Sequence, residues 1–201
     1  MPAVIRAAVE GLTDEAVAVR LIRHVGAEAG VVYGKKGKPH LRAKVDAYSQ
    51  AARHSPWLIL VDLDRGADCA PSLKIAWRLP NPPPPRLCFR IAVRAIEAWL
   101  LADADTISRF LGVARDRVPP QPERLDNPKT ALVHLARSSR RKEIREDMVP
   151  PVGSNRAAGP AYTSRLIEFV DRHWRPDEAA RHAESLDRTI RCLRRLVEER
   201  P

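Results

Sequence analysis

Apolar positions along the chain switch repeatedly between short continuous runs and helical spacing, and the switches mark out the elements. Residues 3–9 form a short apolar run ending at Glu10-Gly11, and a run that short before a glycine reads as a buried strand. Thr13 then offers an N-cap, and Ala16, Val17, Leu21 and Val25 fall on one face of a helix that closes near Gly26 or Gly30. Residues 31–33 predict a second strand, 34–39 a basic glycine-containing loop, and 41–53 a second helix. Trp57-Leu58-Ile59-Leu60-Val61 is continuously apolar, as a central parallel strand covered on both faces should be, and it runs into Asp62-Leu63-Asp64. A helix at 70–79, a stiff proline connection at 80–85, a strand at 87–93 and a helix at 95–102 follow.

Beyond about residue 103 the periodicity is helical. Asp103 is placed to cap the helix after it, Asp126 or Asn127 to cap one beginning near Pro128, and further helices are predicted at 162–173 and 177–199. Leu186, Ile190, Leu193 and Val197 lie on one side of the last helix, the side expected to pack on the sheet. The alternation of strand and helix predicts an α/β fold: a mostly parallel sheet flanked by helices over residues 1–102, with a helical C-terminal extension over 103–201.

Composition adds a charge argument. The 201 residues hold 35 Lys and Arg against 25 Asp and Glu, a formal +10, which makes a polyanion the expected partner. Only seven of those cations are Lys, and Arg presents a planar fork that matches phosphate oxygens, although an Arg-rich chain also fits a GC-rich genome. The three cysteines, Cys69, Cys88 and Cys192, lack C-x-x-C spacing and read as buried small apolar residues. No zinc-hydrolase His spacing and no P-loop occurs. Without a signal sequence or an apolar run of membrane-spanning length, the expectation is a cytoplasmic protein with no membrane association.

The chemistry-bearing residues sit where parallel sheets place their sites, beyond the carboxyl ends of strands. Glu10 ends the first strand, and Asp62 and Asp64 end the third, two residues apart and so on one side of it. Three carboxylates in one crevice repel each other unless a cation stands among them, and oxygen ligands suit Mg²⁺ or Mn²⁺. Such an ion would stabilise charge on a phosphodiester and activate a water. A basic loop, Lys35, Lys36, Lys38, His40 and Arg42, is suited either to phosphate contacts or to plain solvation.

Val9-Glu10-Gly11 with the Thr13-Asp14-Glu15 helix start, and Leu60-Val61-Asp62-Leu63-Asp64, resemble the two Toprim motifs of topoisomerases, primases and overcoming-lysogenization-defect-type nucleases. The segment from Ala92 to Asp103, with Asp126-Asn127-Pro128-Lys129 downstream, also resembles a bacterial branch of Toprim-like proteins. The matched segments span about residues 4–130. The resemblance implies a Toprim-like fold with Glu10, Asp62 and Asp64 as the metal site, Glu97 as an added acid and Lys129 beside a phosphate. It further implies a metal-dependent nuclease acting on DNA or RNA, in phage defence. Arg94 and Ile96 stand where the branch shows a further acid, so a longer acidic run is missing. The alternative is a non-catalytic nucleic-acid-binding or scaffold subunit, the helical tail offering a surface for a homodimer or a partner protein. A haloacid-dehalogenase-like phosphatase expects its D-x-D on the first strand and a Thr-like residue two places on, where Gly66 stands.

Overall fold

A computed structural model describes residues 2–64 and 69–198, so Gly66 lies outside the described residues. Four strands, β1 (Val4–Val9), β2 (Glu28–Gly34), β3 (Trp57–Asp62) and β4 (Leu87–Ala92), form an all-parallel sheet in the order β2-β1-β3-β4. The helices linking them are α1 (Leu12–His24), α2 (Lys38–Ala51) and α3 (Ala70–Ala76). The rest is helical: α4 (Ile96–Ala102), α5 (Ala104–Leu111), α6 (Pro128–Arg137), α7 (Lys142–Met148), α8 (Tyr162–Arg172), α9 (Pro176–Ala180) and α10 (Glu184–Glu198). The chain is thus an α/β fold with flanking helices and a helical C-terminal extension.

The two-residue period of the strands divides the interior in two. Ile5, Ala7 and Val9, Leu58 and Leu60, and Cys88 and Ala92 face a large cluster that also takes in Trp99 from α4 and Leu132, Leu166 and Leu193 from the extension. Ala8, then Trp57, Ile59 and Val61, then Phe89 and Ile91, face a smaller cluster closed by Leu41, Val45 and Leu73 from α2 and α3. Because residues of the sheet and of the extension bury their apolar surface in the same cluster, α1 rests against α8 and α10 against β4.

Several local expectations are corrected. The first helix begins at Leu12, with Gly11 rather than Thr13 at its N-cap and no side-chain cap. Its first turn closes through the Glu15 N–H to the Gly11 carbonyl at 3.1 Å. The second helix begins at Lys38, so Lys38, His40 and Arg42 belong to α2 and not to a loop. Asp103 stands at the N-cap of α5 without capping it. Its buried carboxylate instead accepts from the backbone N–H and Nε of Arg175, at 3.0 and 3.1 Å. The predicted helix at 177–199 is two, α9 and α10. The Glu123 carboxylate accepts from the N–H groups of Glu184 and Ser185, at 2.8 and 3.0 Å, and so sets the start of α10. Cys88 and Cys192 are buried, but Cys69 is exposed, its Sγ 3.2 Å from Ser72 Oγ. Asn127 caps α6 as expected, accepting from the Thr130 N–H at 3.0 Å.

Gly34, the last residue of β2, has φ +92°, and a Cβ there would lie 2.2 Å from the Val9 carbonyl oxygen. That oxygen also receives the Lys35 N–H at 3.0 Å, so it has little freedom to retreat. Gly34→Ala is expected to destabilise the protein by at least about 2 kcal/mol. A urea titration checks this, and an unchanged midpoint would contradict the close packing of β1 on β2.

A candidate carboxylate site

The sheet order makes β1 and β3 neighbours, so the residues following their last positions meet at one end of the sheet. There Glu10 Oε1 accepts the backbone N–H of Asp62 at 2.9 Å, tying the end of β1 to the end of β3. Asp62 in turn passes the connection on: its Oδ1 accepts the N–H of Ile96 at 2.9 Å, fixing the first turn of α4 against β3. Leu63 and Asp64 continue the ladder past β3, donating to the carbonyls of Ala92 and Arg94, each at 2.9 Å. Asp64 leaves the extended conformation with φ +54°, a region that aspartate tolerates better than most side chains. Its exposed carboxylate meets Lys38 Nζ at 2.8 Å, and the same ammonium donates to the Asp62 carbonyl.

These residues open onto a cleft of about 660 Å³ bounded by Asp14, Asp62, Asp64, Glu97, Lys129 and Tyr162, with the Arg94-Ala95 segment between them. Four of the five residues singled out from the sequence line it: Asp62, Asp64, Glu97 and Lys129. Glu10 is not on its wall and reaches the cluster through the Asp62 backbone. Glu97, in the first turn of α4, is buried and accepts from the Tyr162 hydroxyl at 3.2 Å. Lys129 Nζ lies 5.2 Å from the centre of the Tyr162 ring, a cation over an aromatic face, and its charge also favours ionised Glu97.

The electrostatics are those of crowded acid in a poorly hydrated place. Burial pushes Glu10 up from its ordinary 4.5 to about 7, against the Asp62 N–H and the Lys38 ammonium, which pull it down. Burial first, and then the charges of Asp14, Glu97, Glu10 and Asp64, hold Asp62 well above the usual carboxylate range. Glu97 is raised mainly by burial. Asp62 thus feels all four of the other carboxylates.

Asp14 is the member that sequence reading passed over. It stands in the first turn of α1, where an acidic residue is explained by the helix dipole alone, so nothing in the pattern singles it out. In the structure it is only 8% exposed, and its Oδ1 is buried without a hydrogen-bond partner. Burial pushes it up from 3.8 to about 6, with Glu97 and Asp64 adding to the rise. Tyr162 was likewise read only as the start of a helix, and Lys38 as part of a basic loop. Of that predicted loop, Lys38 serves the aspartates, Lys35 pairs with Glu15 at 2.9 Å, and Arg42 donates to the Ala76 carbonyl at 2.8 Å.

No family model matches the sequence, and neither a curated protein nor a solved structure matches it. Among the described residues no group of three or more His, Cys, Asp or Glu side chains is arranged to hold a metal ion. The donor set nevertheless suits a hard divalent cation: the cleft is walled by carboxylate oxygens, and one of them, Asp14 Oδ1, is buried and unsatisfied. Among those same residues no helix is long and apolar enough to cross a membrane.

Proposed function

We propose that this protein is a Toprim-like, metal-dependent nuclease that cleaves phosphodiester bonds of DNA or RNA, with Mg²⁺ or Mn²⁺ held by Asp62 and Asp64 and supported by Glu10. The observation that carries the reading is the convergence of five carboxylates, Glu10, Asp14, Asp62, Asp64 and Glu97, at the carboxyl ends of neighbouring parallel strands. Acids so crowded are stabilised by a cation, and the chain's excess of basic residues suits a polyanionic substrate.

When bound, the ion supplies Lewis-acid stabilisation of a phosphoryl oxygen and a more acidic water. The chain's residues do the rest. Glu97 stands on the wall of the cleft, where burial makes it a weaker acid than an exposed glutamate, and it is the group placed to pass a proton to a leaving alkoxide. Lys129, on the same wall, offers a point charge to a non-bridging phosphate oxygen. Glu10 acts by position, holding the end of β3 through the Asp62 N–H.

One contact favours a second reading, a non-catalytic nucleic-acid-binding scaffold. Lys38 already brings a cation to the Asp62 carbonyl and to Asp64, as an acidic cluster without a metal requires. Incubation with single-stranded and duplex DNA and RNA, with Mn²⁺, with Mg²⁺ and with chelator, separates the two. Metal-dependent cleavage that disappears in Glu10→Ala supports the nuclease. Undiminished binding with no cleavage under any condition moves the assignment to the scaffold.

A further inference from the structure

A second concave surface lies around the corner from the carboxylate cleft. β4 is an edge strand, so no neighbouring strand covers its outer side. There α3 rises on one face of the sheet and α10 on the other, leaving a groove of about 820 Å³ with Phe89, Ile91 and Val93 along its floor. Its walls carry Lys74 from α3, Arg188, Arg191 and Arg195 from α10, and Arg90 from β4 itself. Among the described residues only two acids, Glu123 and Glu184, share this lining. The Glu123 carboxylate is taken up by the amino end of α10, Glu184 pairs with Arg188 and, beside the lining, Asp187 pairs with Arg191, so five cations of the walls still outnumber the acids around them.

Three features make this groove a site rather than a solvated charged face. Arg90 lines the groove, and its buried Nε has no hydrogen-bond partner, so its guanidinium is not fully engaged by the protein. The helical rise from Arg188 to Arg195 places cations along about 10 Å, the span of about three successive phosphates in a stacked strand. The groove also leads to the cleft: Val93 lines the one, and the next residues, Arg94 to Glu97, line the other.

We propose that this groove between α3 and α10 is the track for the phosphodiester backbone of a single nucleic-acid strand, delivering it past Val93 to the carboxylate cleft. The role as a delivery track rests on the nuclease reading, whereas the binding site stands by itself. An extended peptide could also lie along an open strand edge, but the walls are cationic, and a strand of phosphates complements them where a peptide of ordinary composition does not.

The test is the binding of fluorescently labelled single-stranded DNA and RNA of about 20 nucleotides, by anisotropy in chelator across a salt series. The triple variant Lys74→Gln/Arg188→Gln/Arg191→Gln removes three groove charges, two of them the ion-pair partners of Glu184 and Asp187, so its thermal melt is recorded beside its binding. A control, Arg137→Gln/Lys142→Gln/Arg172→Gln, removes three exposed charges from α6, α7 and α8. The groove variant is expected to bind at least about tenfold more weakly, with a salt slope smaller by about 2, while the control stays within about twofold of wild type. Equal loss in the two variants overturns the track. Displacement of the strand by inorganic phosphate or by polyglutamate, at matched ionic strength, as readily as by unlabelled strand overturns it too. Cleavage is scored separately with Mn²⁺. Groove-dependent binding by a protein that cuts nothing upholds the groove and removes the nuclease reading. Cleavage that is unchanged in the groove variant, with unchanged binding, does the reverse.

Discussion

Asp62→Asn is expected to lower metal-dependent cleavage by at least about a hundredfold to a thousandfold while leaving the fold intact. Asparagine keeps the Oδ1 that accepts the Ile96 N–H, so the tie between β3 and α4 survives. What it removes is the charge at the centre of the cluster, on the residue whose acidity is disturbed by all four of the other carboxylates. Steady-state cleavage rates with Mn²⁺, set beside a thermal melt of the same preparation, read the two effects separately. Because burying that charge is unfavourable, the melting temperature in chelator should stay level or rise. A variant that cuts as fast as wild type would place the chemistry elsewhere, and one that fails to fold would show the Ile96 contact to depend on full negative charge.

Without added metal and at pH 8, Asp14→Asn is expected to stabilise the protein, on the order of 3 kcal/mol or about 6–12 °C in melting temperature. The sign follows from proton uptake. Asp14 titrates near 3.8 when unfolded and near 6 when folded, so between those values the folded state holds more protons and stability falls as pH rises. The contribution is fully present below about pH 4, is lost through about pH 6, and changes little above. Glu10, raised from 4.5 to about 7, adds loss of the same sign over a slightly higher range. Asparagine cannot ionise, so the two melting curves should meet near pH 4 and separate toward pH 8. Mn²⁺ should restore the wild type at pH 8 far more than the variant, since a ligand that binds only the folded state stabilises it by mass action. A variant less stable than wild type at pH 8 in chelator would show that Asp14 Oδ1 has a partner in solution that relieves its burial.

How much of this was legible in advance differs from element to element. The four strands were readable because each holds a short apolar run bounded by turn or charged residues, Glu10, Gly34 and Asp62 at the ends of the first three and the prolines before the fourth, and their parallel pairing follows from the helices that separate them. Asp62 and Asp64 were readable because aspartates ending the most apolar strand have no apolar role there. Glu97 and Lys129 stand out only through the resemblance, since a charged residue at a helix start is otherwise ordinary. Asp14 was not readable, because an acid in the first turn of a helix is ordinary until the neighbouring strand ends are known. The break between α9 and α10 was hidden for a similar reason: it depends on Glu123, some sixty positions away in the chain. Asp103 looked like a cap because Arg175, the residue that claims its carboxylate, is equally remote.

The sequence by itself determined the alternation of strands and helices, the acidic ends of the first and third strands and the surplus of positive charge, since each is a property of neighbouring residues or of composition. The tertiary structure alone decided the sheet order that sets Glu10 on the Asp62 backbone, the burial that draws Asp14 into the cluster, and the meeting of α3 and α10 over the edge of β4. Those are long-range consequences of burying apolar surface: packing selects which distant polar groups share a poorly hydrated space, and no local pattern records that choice.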